Sequence, residues 1–471
     1  MIGDLPTDAL QGVDEAFRLV DEPEWDDPAP WPILDEAALY GLAGEIVRTA
    51  LPETEADAAA LLLSLLVAVS NAAGDGCSLR IADDHHSPRL FVAIVGATAT
   101  GAKGTSWAVI RLFLREAIPD WLSCIKGGFG SGEAIISELG GYWSSEKMND
   151  AGSVPTAAES RETRALVYEP ELSRLLAASA RDGSTISAVL RGAWDSGTLE
   201  LRRAKARIVA TDAHLSVLAH ITPDELRAKL TGLDIAGGFA NRFLFVCARR
   251  SKKLPSGGHL DDATIAPLVR RLNAAVASAR AEPRVMNRTA EADVLWTTLY
   301  NAEPDRDGLV GEITARPHPQ RLRLAIVFAI LDSADAIRPE HLHAAEAVWR
   351  YCVASAEHIF RGRQGDDVAD RLLNTLRDVW PSGLDGEGQR AIYGRHVAAR
   401  RIADAREALE RRGLASTTRL ETGGRPRTVT YALTREERAK SAVSAVNPNA
   451  PTLSALSALS AQQHEEWEVT L

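Results

Sequence analysis

Residues 89–106 read Arg89-Leu-Phe-Val-Ala-Ile-Val95-Gly96-Ala-Thr-Ala-Thr-Gly101-Ala-Lys103-Gly104-Thr105-Ser106. Leu90 to Val95 is a continuous apolar run that stops at a glycine. A strand covered on both faces, as in a parallel sheet, has this pattern, because neither side alternates with solvent. Glycines, a lysine and two hydroxyls follow, then a helix-like run from Trp107 to Glu116. Glycines let backbone N–H groups wrap a phosphate chain, a helix N-terminus favours the anion, and a lysine reaches the terminal phosphates. A hydroxyl at the start of the helix holds Mg2+. The expected nucleotide-binding residues are therefore Gly96, Thr100, Gly101, Ala102, Lys103, Gly104, Thr105 and Ser106, with Lys103 the catalytic cation. Thr105, or Ser106 beside it, is the expected metal hydroxyl. The loop departs from Gly-x-x-x-x-Gly-Lys-Ser/Thr at two points: Ala102 intrudes before the lysine, and Gly104 separates the lysine from Thr105.

Three more apolar runs follow, at 165–168, 215–220 and 243–247, with helical stretches such as 131–139 and 171–178 between them. Strands alternating with helices imply a doubly wound α/β core. The run ending at Tyr168 is followed by Glu169-Pro-Glu171, and a carboxylate at a strand tip suits the metal's water shell and the attacking water. Glu169 is the expected residue and Glu171 the second choice. His220 ends the next run and is placed to sense a γ-phosphate. Arg242 follows the glycine pair Gly237-Gly238 and is the expected finger toward a neighbouring subunit's nucleotide. Arg191-Gly-Ala-Trp194-Asp195 is expected to line the same cleft. Arg321 and Arg323, opening an apolar helix, are placed to report nucleotide state. For His220, Arg242 and these last two arginines, a purely structural role is the competing reading.

Around this core the expected organisation is a mobile lead-in over 1–35, rich in Pro, Asp and Glu, and a helical segment over 36–85. The core spans 86–255, with a polar surface loop at 146–163. A helical, lid-like subdomain follows over 256–365. The apolar run Ala58–Ala73 is interrupted by Ser64, Ser70 and Asn71 and falls short of the ~20 residues that span a bilayer, which predicts a buried helix and no membrane partner. The 471 residues carry a net charge of −11, so any nucleic-acid binding requires a local basic patch. Four scattered cysteines, Cys77, Cys124, Cys247 and Cys352, lack zinc-type spacing, and no basic-then-apolar leader opens the chain; both point to a reducing, cytoplasmic setting.

Residues 366–435 differ in character. Helices are expected at 367–379, 392–399 and 402–412, followed by a basic hairpin that turns at Gly423-Gly424-Arg425-Pro426. This is the pattern of a winged helix. Between Arg390 and Arg427 there are ten arginines and four acids, a local excess of six positive charges on an acidic chain. Phosphate neutralisation needs such an excess. Arg395, Arg400, Arg401, Arg425 and Arg427 are the expected DNA contacts. The Ala/Ser/Pro-rich tail, 436–471, is expected to be disordered.

Taken as a set, Gly96–Trp107, Ser131-Gly-Glu, Tyr168-Glu-Pro-Glu, Arg191-Gly-Ala-Trp-Asp, His220-Ile-Thr-Pro-Asp-Glu-Leu, Gly238-Phe-Ala-Asn-Arg-Phe and the stretch 322–360 resemble a primase–helicase-like P-loop family of phages, plasmids and integrated elements. The resemblance covers about residues 40–365. It implies a RecA/AAA-like ATPase that uses ATP and Mg2+ in replication of mobile DNA, with Lys103, Thr105 and Glu169 at the nucleotide and Arg242 as finger. Oligomers, hexameric rings included, and a separate primase are the implied partners besides DNA. The resulting expectation is a P-loop α/β core with a helical subdomain and a C-terminal winged helix, acting as a DNA translocase. The competing expectation is a nucleotide-binding or ATPase-inactive replication initiator or regulator that binds DNA. A kinase-like transferase is set aside because no acceptor site is evident.

Overall fold

The computed structural model describes Trp25 and residues 30–98, 101–140, 142–145, 162–203, 206–281, 283–363, 365–394, 396–420 and 426–446. Thr100, Arg395 and Arg425, the surface loop expected at 146–163 except for its last two residues, and the tail beyond 446 lie outside them. The chain divides into two compact units, one of residues 29–361 and one of residues 1–28 with 362–471.

The larger unit is built on a five-stranded, wholly parallel sheet. Its strands are β1 (Phe91–Val95), β2 (Ile125–Lys126), β3 (Arg164–Glu169), β4 (His214–Ile221) and β5 (Phe243–Cys247), in the order β5-β1-β4-β3-β2. Every residue of β1, β4 and β5 is buried, which explains their unbroken apolar character. β1 and β4 align Val95 with Ile221, and β3 and β4 align Glu169 with Ala219, so these strands end together at one edge of the sheet. The sequence missed β2, which is only two residues long.

Side chains alternate between two apolar layers. Val92, Ile94, Leu166, Leu218, Leu244 and Val246 meet helices α1 (Ala58–Ala73), α2 (Lys103–Ala117), α4 (Pro317–Leu331) and α5 (Pro339–Ile359). Phe91, Ala93, Val95, Val167, Val217 and Phe245 meet the helices at 132–138, 172–179 and 186–195, and also α3 (Pro223–Lys229), which follows β4. Helix α1 is capped by Asp57, whose carboxylate accepts from Ala59 N–H at 2.9 Å, and it ends at Gly74, at φ +64°. It is apolar all round because it is core on all sides.

One expectation is corrected in this unit. Residues 36–85 are not only helical: Cys77–Ile81 and Asp84–His86 form a small sheet with Arg284–Arg288 and Ala336–Ile337, strands too short and too polar to stand out in the sequence. The helices of 256–361 belong to the same compact unit as the sheet. Helix α5 seals the free edge of β5, where Cys247 N–H donates to Ser355 Oγ at 3.1 Å and Tyr351 O–H donates to the Cys247 carbonyl at 2.7 Å. An edge strand leaves backbone groups unpaired, and here a helix satisfies them. Among the described residues a further antiparallel sheet, of Tyr142–Ser145, Leu199–Arg203 and Ala206–Ala210, also went unread.

The smaller unit holds helices α6 (Asp367–Asp378), α7 (Gly386–Tyr393) and α8 (Ala399–Arg411) and an antiparallel sheet of β6 (Leu384–Asp385), β7 (Ala415–Leu420) and β8 (Arg427–Ala432), in the order β6-β8-β7. Leu372, Leu376, Ile402, Ala405 and Leu409 make its core. The second helix lies earlier than the expected 392–399, because Asp385 caps it through Gly388 N–H at 2.8 Å and Gly394, at φ +57°, ends it. The tail expected to be disordered begins instead with helix α9 (Arg435–Val446). Thr434 Oγ1 accepts from Glu437 N–H at 3.3 Å while Glu437 Oε2 accepts from Thr434 N–H at 2.7 Å. That reciprocal pair is a capping box, and Thr434-Arg-Glu-Glu437 spells it.

Candidate nucleotide site

Gly96 leaves β1 with its N–H donating to Ile221 O at 3.1 Å, so the glycine loop starts against the end of β4. Gly101 N–H donates to Ala97 O at 3.0 Å and closes the bend. A Cβ on Gly101 would stand 2.7 Å from Ala97 O, and one on Gly96 would stand 2.4 Å from Ala248 O. Both positions need glycine for close approach of backbone to backbone. The intruding Ala102 takes up the extra length by turning left-handed, at φ +45°, and helix α2 starts at the next residue, Lys103. The Lys103 ammonium curls back into the loop and donates to the carbonyls of Gly96 and Ala97, the latter at 3.3 Å. Burial lowers its pKa, and the carboxylate of Glu225 acts in the opposite direction.

Beside the loop, on the layer of α2, Trp107 stacks on Tyr168 with ring centres 5.3 Å apart, and Tyr168 meets His220 edge-on at 5.5 Å. His220 is buried, and its Nε2 has no hydrogen-bond partner among the described residues. Burial, with the Lys103 charge second, pushes its pKa down to about 4, so the ring is neutral at pH 7. A neutral imidazole with a free nitrogen next to a lysine is suited to a hydrogen bond with a phosphate oxygen.

The expected metal pair is not brought together. Ser106 is buried, and its hydroxyl donates back to Lys103 O at 2.7 Å, so it is committed to the helix. Thr105 is exposed, but two residues beyond Lys103 it lies about 200° round the helix from it. Glu169 is buried on the opposite layer of the sheet from α2, and its Oε1 accepts from Gly128 N–H at 2.6 Å, on the β2 side and away from β1. No group of three or more His, Cys, Asp or Glu suited to a metal occurs among the described residues. The residues fit a phosphate chain; Thr105 and Glu169 together do not fit its metal.

A second constellation forms at the other edge of the sheet. Arg242 precedes β5, and its Nη2 donates to Asp195 Oδ2 at 2.6 Å. Arg316, Arg323 and Arg242 surround the Trp194 ring, their guanidinium carbons 5.3, 3.5 and 5.5 Å from its centre. Arg323 is buried and donates to the carbonyls of Arg89 at 3.0 Å and Trp194 at 2.9 Å; burial, with Arg89 second, presses its pKa downward. The segment Arg191–Asp195 therefore does not line the loop's cleft. Five strand residues at ~3.3 Å each put Arg242 roughly 16 Å from the loop edge. Arg321 lies apart from both sites, in buried ion pairs with Glu303 and Glu346. Sequence spacing could not have joined Arg323 to Arg89 and Trp194, since only the tertiary fold brings them together.

In the smaller unit Arg401 pairs with Asp366 at 2.8 Å and Arg427 with Asp385 at 2.8 Å, while Arg400 is exposed at the start of α8.

No family model and no curated protein matches the chain. Among solved structures, a full-length MCM homologue from Methanopyrus kandleri is similar, at 16% identity and a TM-score of 0.32, over 70% of this chain and 64% of that one. The chain thus spans less than two thirds of that protein's length, and the likeness is slight.

Proposed function

We propose that the chain is a P-loop ATPase of the RecA/AAA-like kind that acts on DNA, with residues 366–435 a winged helix that grips the duplex. One observation carries the nucleotide half of this reading: the Lys103 ammonium lies curled inside a glycine bend at the N-terminus of α2, at the edge where β1 and β4 end. Phosphates entering there would meet the helix N-terminus and the loop N–H groups, and the lysine would exchange its two carbonyls for phosphate oxygens. His220 would donate a hydrogen bond to an oxygen of the terminal phosphate. Mg2+, where bound, would neutralise charge on the phosphates, and no step is assigned to Thr105 and Glu169 together. Arg242 is out of reach of its own loop, so a catalytic role for it requires a neighbouring copy in an oligomer, as a ring would provide. The DNA half rests on the helix–strand order of the smaller unit and on its arginines. A helicase-like role in replicating mobile DNA, in the cytoplasm and alongside a separate primase, extends this reading.

A second reading, a nucleotide-binding initiator or regulator that does not hydrolyse ATP, is favoured by the separation of Glu169 from the loop. Lys103→Ala tests the pair. The motor reading expects DNA-stimulated ATPase in the wild type, background activity in the variant and unchanged DNA binding. If the wild-type chain binds nucleotide but shows no ATPase with or without DNA, the second reading stands.

A further inference from the structure

Residues 1–28 carry nine acids and one arginine, whereas residues 390–427 carry ten arginines and four acids. These stretches of opposite charge belong to the same compact unit. Trp25 fastens the first to the second. Its half-buried ring packs against the core of the smaller unit and meets Trp380 edge-on, with ring centres 6.1 Å apart. The Arg377 guanidinium carbon lies 5.6 Å from the same ring centre, and Arg438, in α9, donates to the Trp25 carbonyl. Arg377 and Trp380 mark the C-terminal end of α6, while its N-terminal end is capped by Asp366, which pairs with Arg401 of α8. The twelve residues of α6, at about 1.5 Å each, put roughly 18 Å between the anchor and the start of α8. The twenty-four residues before Trp25, at up to about 3.3 Å each, can cover that distance several times over.

We propose that the acidic segment ahead of Trp25 is an intramolecular competitor for DNA, held by that anchor within reach of the arginines of the smaller unit. The inference rests on the DNA reading above and deepens it by assigning a control to the same surface. Carboxylates and backbone phosphates address the same guanidinium groups, and Arg400, exposed and in no ion pair among the described residues, is open to either. A ligand tethered to its own receptor acts at an effective concentration on the order of 1 mM. Against a contact as weak as non-specific phosphate binding, with a dissociation constant of about 10⁻⁴ M, such a competitor lowers the apparent affinity for DNA by about tenfold.

The competing reading is that these acids are solvated charge and nothing more. Full-length variants separate the two by fluorescence anisotropy on a labelled duplex at about 50 and 200 mM salt. In the first variant the seven acids of residues 1–24 are neutralised, every Asp replaced by Asn and every Glu by Gln. In the second, an equal number of exposed acids of the larger unit are neutralised in the same way, so both variants have one net charge. The first is expected to bind about tenfold tighter than the wild type at the lower salt. The gap narrows at the higher, because salt loosens the competitor as well as the DNA, so the first variant has the steeper salt slope. The second gains little. Trp25→Ala keeps every charge and recovers part of the gain, while Trp25→Phe, which leaves a ring against Arg377 and Trp380, binds as the wild type does. Equal affinity and slope in the wild type and the first variant overturn the proposal. Equal gains in the first and second variants also overturn it, since net charge alone would then explain both. No gain in a Trp25→Ala chain that melts like the wild type removes the anchor. If neither the wild type nor the first variant binds the duplex at either salt, the DNA reading itself is wrong and the proposal goes with it.

Discussion

Arg242 and Asp195 form an ion pair at the end of the sheet away from Gly96, and the guanidinium is buried while the carboxylate is half exposed. Within one chain this arginine cannot touch a phosphate held by Lys103. If it completes the site of a second copy, Lys103→Ala and Arg242→Ala are each inactive alone. Mixing them recovers activity, because some interfaces then join an intact lysine to an intact arginine. ATPase measured across mixing ratios checks this, with thermal melting of Arg242→Ala to confirm folding. No recovery at any ratio leaves Arg242 as a brace for Asp195 and Trp194.

The two ends of the glycine loop should respond differently to a methyl group. Gly101→Ala places Cβ against backbone atoms of Ala97 and Gly96, which cannot yield as a side chain would. Nucleotide affinity should fall by about tenfold or more, since the N–H groups that wrap phosphate are displaced. A Cβ on Gly104 meets nothing within 4 Å. Gly104→Ala should therefore melt at the same temperature as the wild type or higher, helped by up to about 1 kcal/mol of helix propensity. Melting curves and nucleotide titrations of both variants decide it; equal damage from both would show that the bend is not held as described.

What could be read in advance follows from how locally each feature is encoded. β1, β4 and β5 are buried on both faces and so announce themselves as apolar runs. β2 and the strands at 77–86 and 284–288 are short or half exposed, and resemble loops. The glycine loop is contiguous and was legible. Which face Tyr168 and Glu169 take is a matter of strand parity, invisible until the layer that carries α2 is known. The meeting of Arg89, Trp194, Arg316 and Arg323 depends on long-range packing, which no local pattern encodes. The capping box at Thr434 is encoded locally, by Thr434-Arg-Glu-Glu437, although the sequence beyond it is low in complexity.

His220 gives the protein an acid-side liability. Its folded pKa, about 4, lies below the unfolded value near 6.5, so the unfolded chain takes up the proton first. The stability this neutral, buried ring allows is complete above pH 6.5 and is lost progressively as pH falls toward 4, by roughly 3 kcal/mol in all. Urea unfolding of the wild type and of His220→Gln from pH 7.5 to 4.5 checks it. The gap between the two should shift steadily in favour of the variant below pH 6.5. Parallel curves would mean the ring is not buried neutral.

Tyr351→Phe tests whether α5 is fixed to the sheet. It removes a buried hydrogen bond to Cys247 O and leaves that carbonyl unpaired, at about 1–2 kcal/mol. In hydrogen exchange, the amides of 243–247 and 346–356 should be among the slowest in the wild type and should not change when nucleotide is added. Fast or nucleotide-dependent exchange there would show that α5 is not fixed to the sheet.

The arginines of the smaller unit should not contribute equally to DNA binding. Arg400 opens the exposed face of α8 and forms no ion pair among the described residues, whereas Arg401 and Arg427 are held by Asp366 and Asp385. Further along the same helix Asp404 and Glu407 are exposed and would repel a phosphate backbone, so the useful charge gathers at the N-terminal end of α8. An arginine that must first leave a carboxylate returns less on binding phosphate. Arg400→Ala should weaken binding across unrelated duplex sequences and lower the salt slope by about one, as expected for one lost phosphate contact. Arg401→Ala and Arg427→Ala should each do less, while Asp366→Asn should tighten binding by freeing Arg401. Fluorescence anisotropy on a labelled duplex over a range of salt concentrations separates these outcomes. If Arg400→Ala binds like the wild type at every concentration, α8 does not face the DNA and the winged-helix reading of this unit fails.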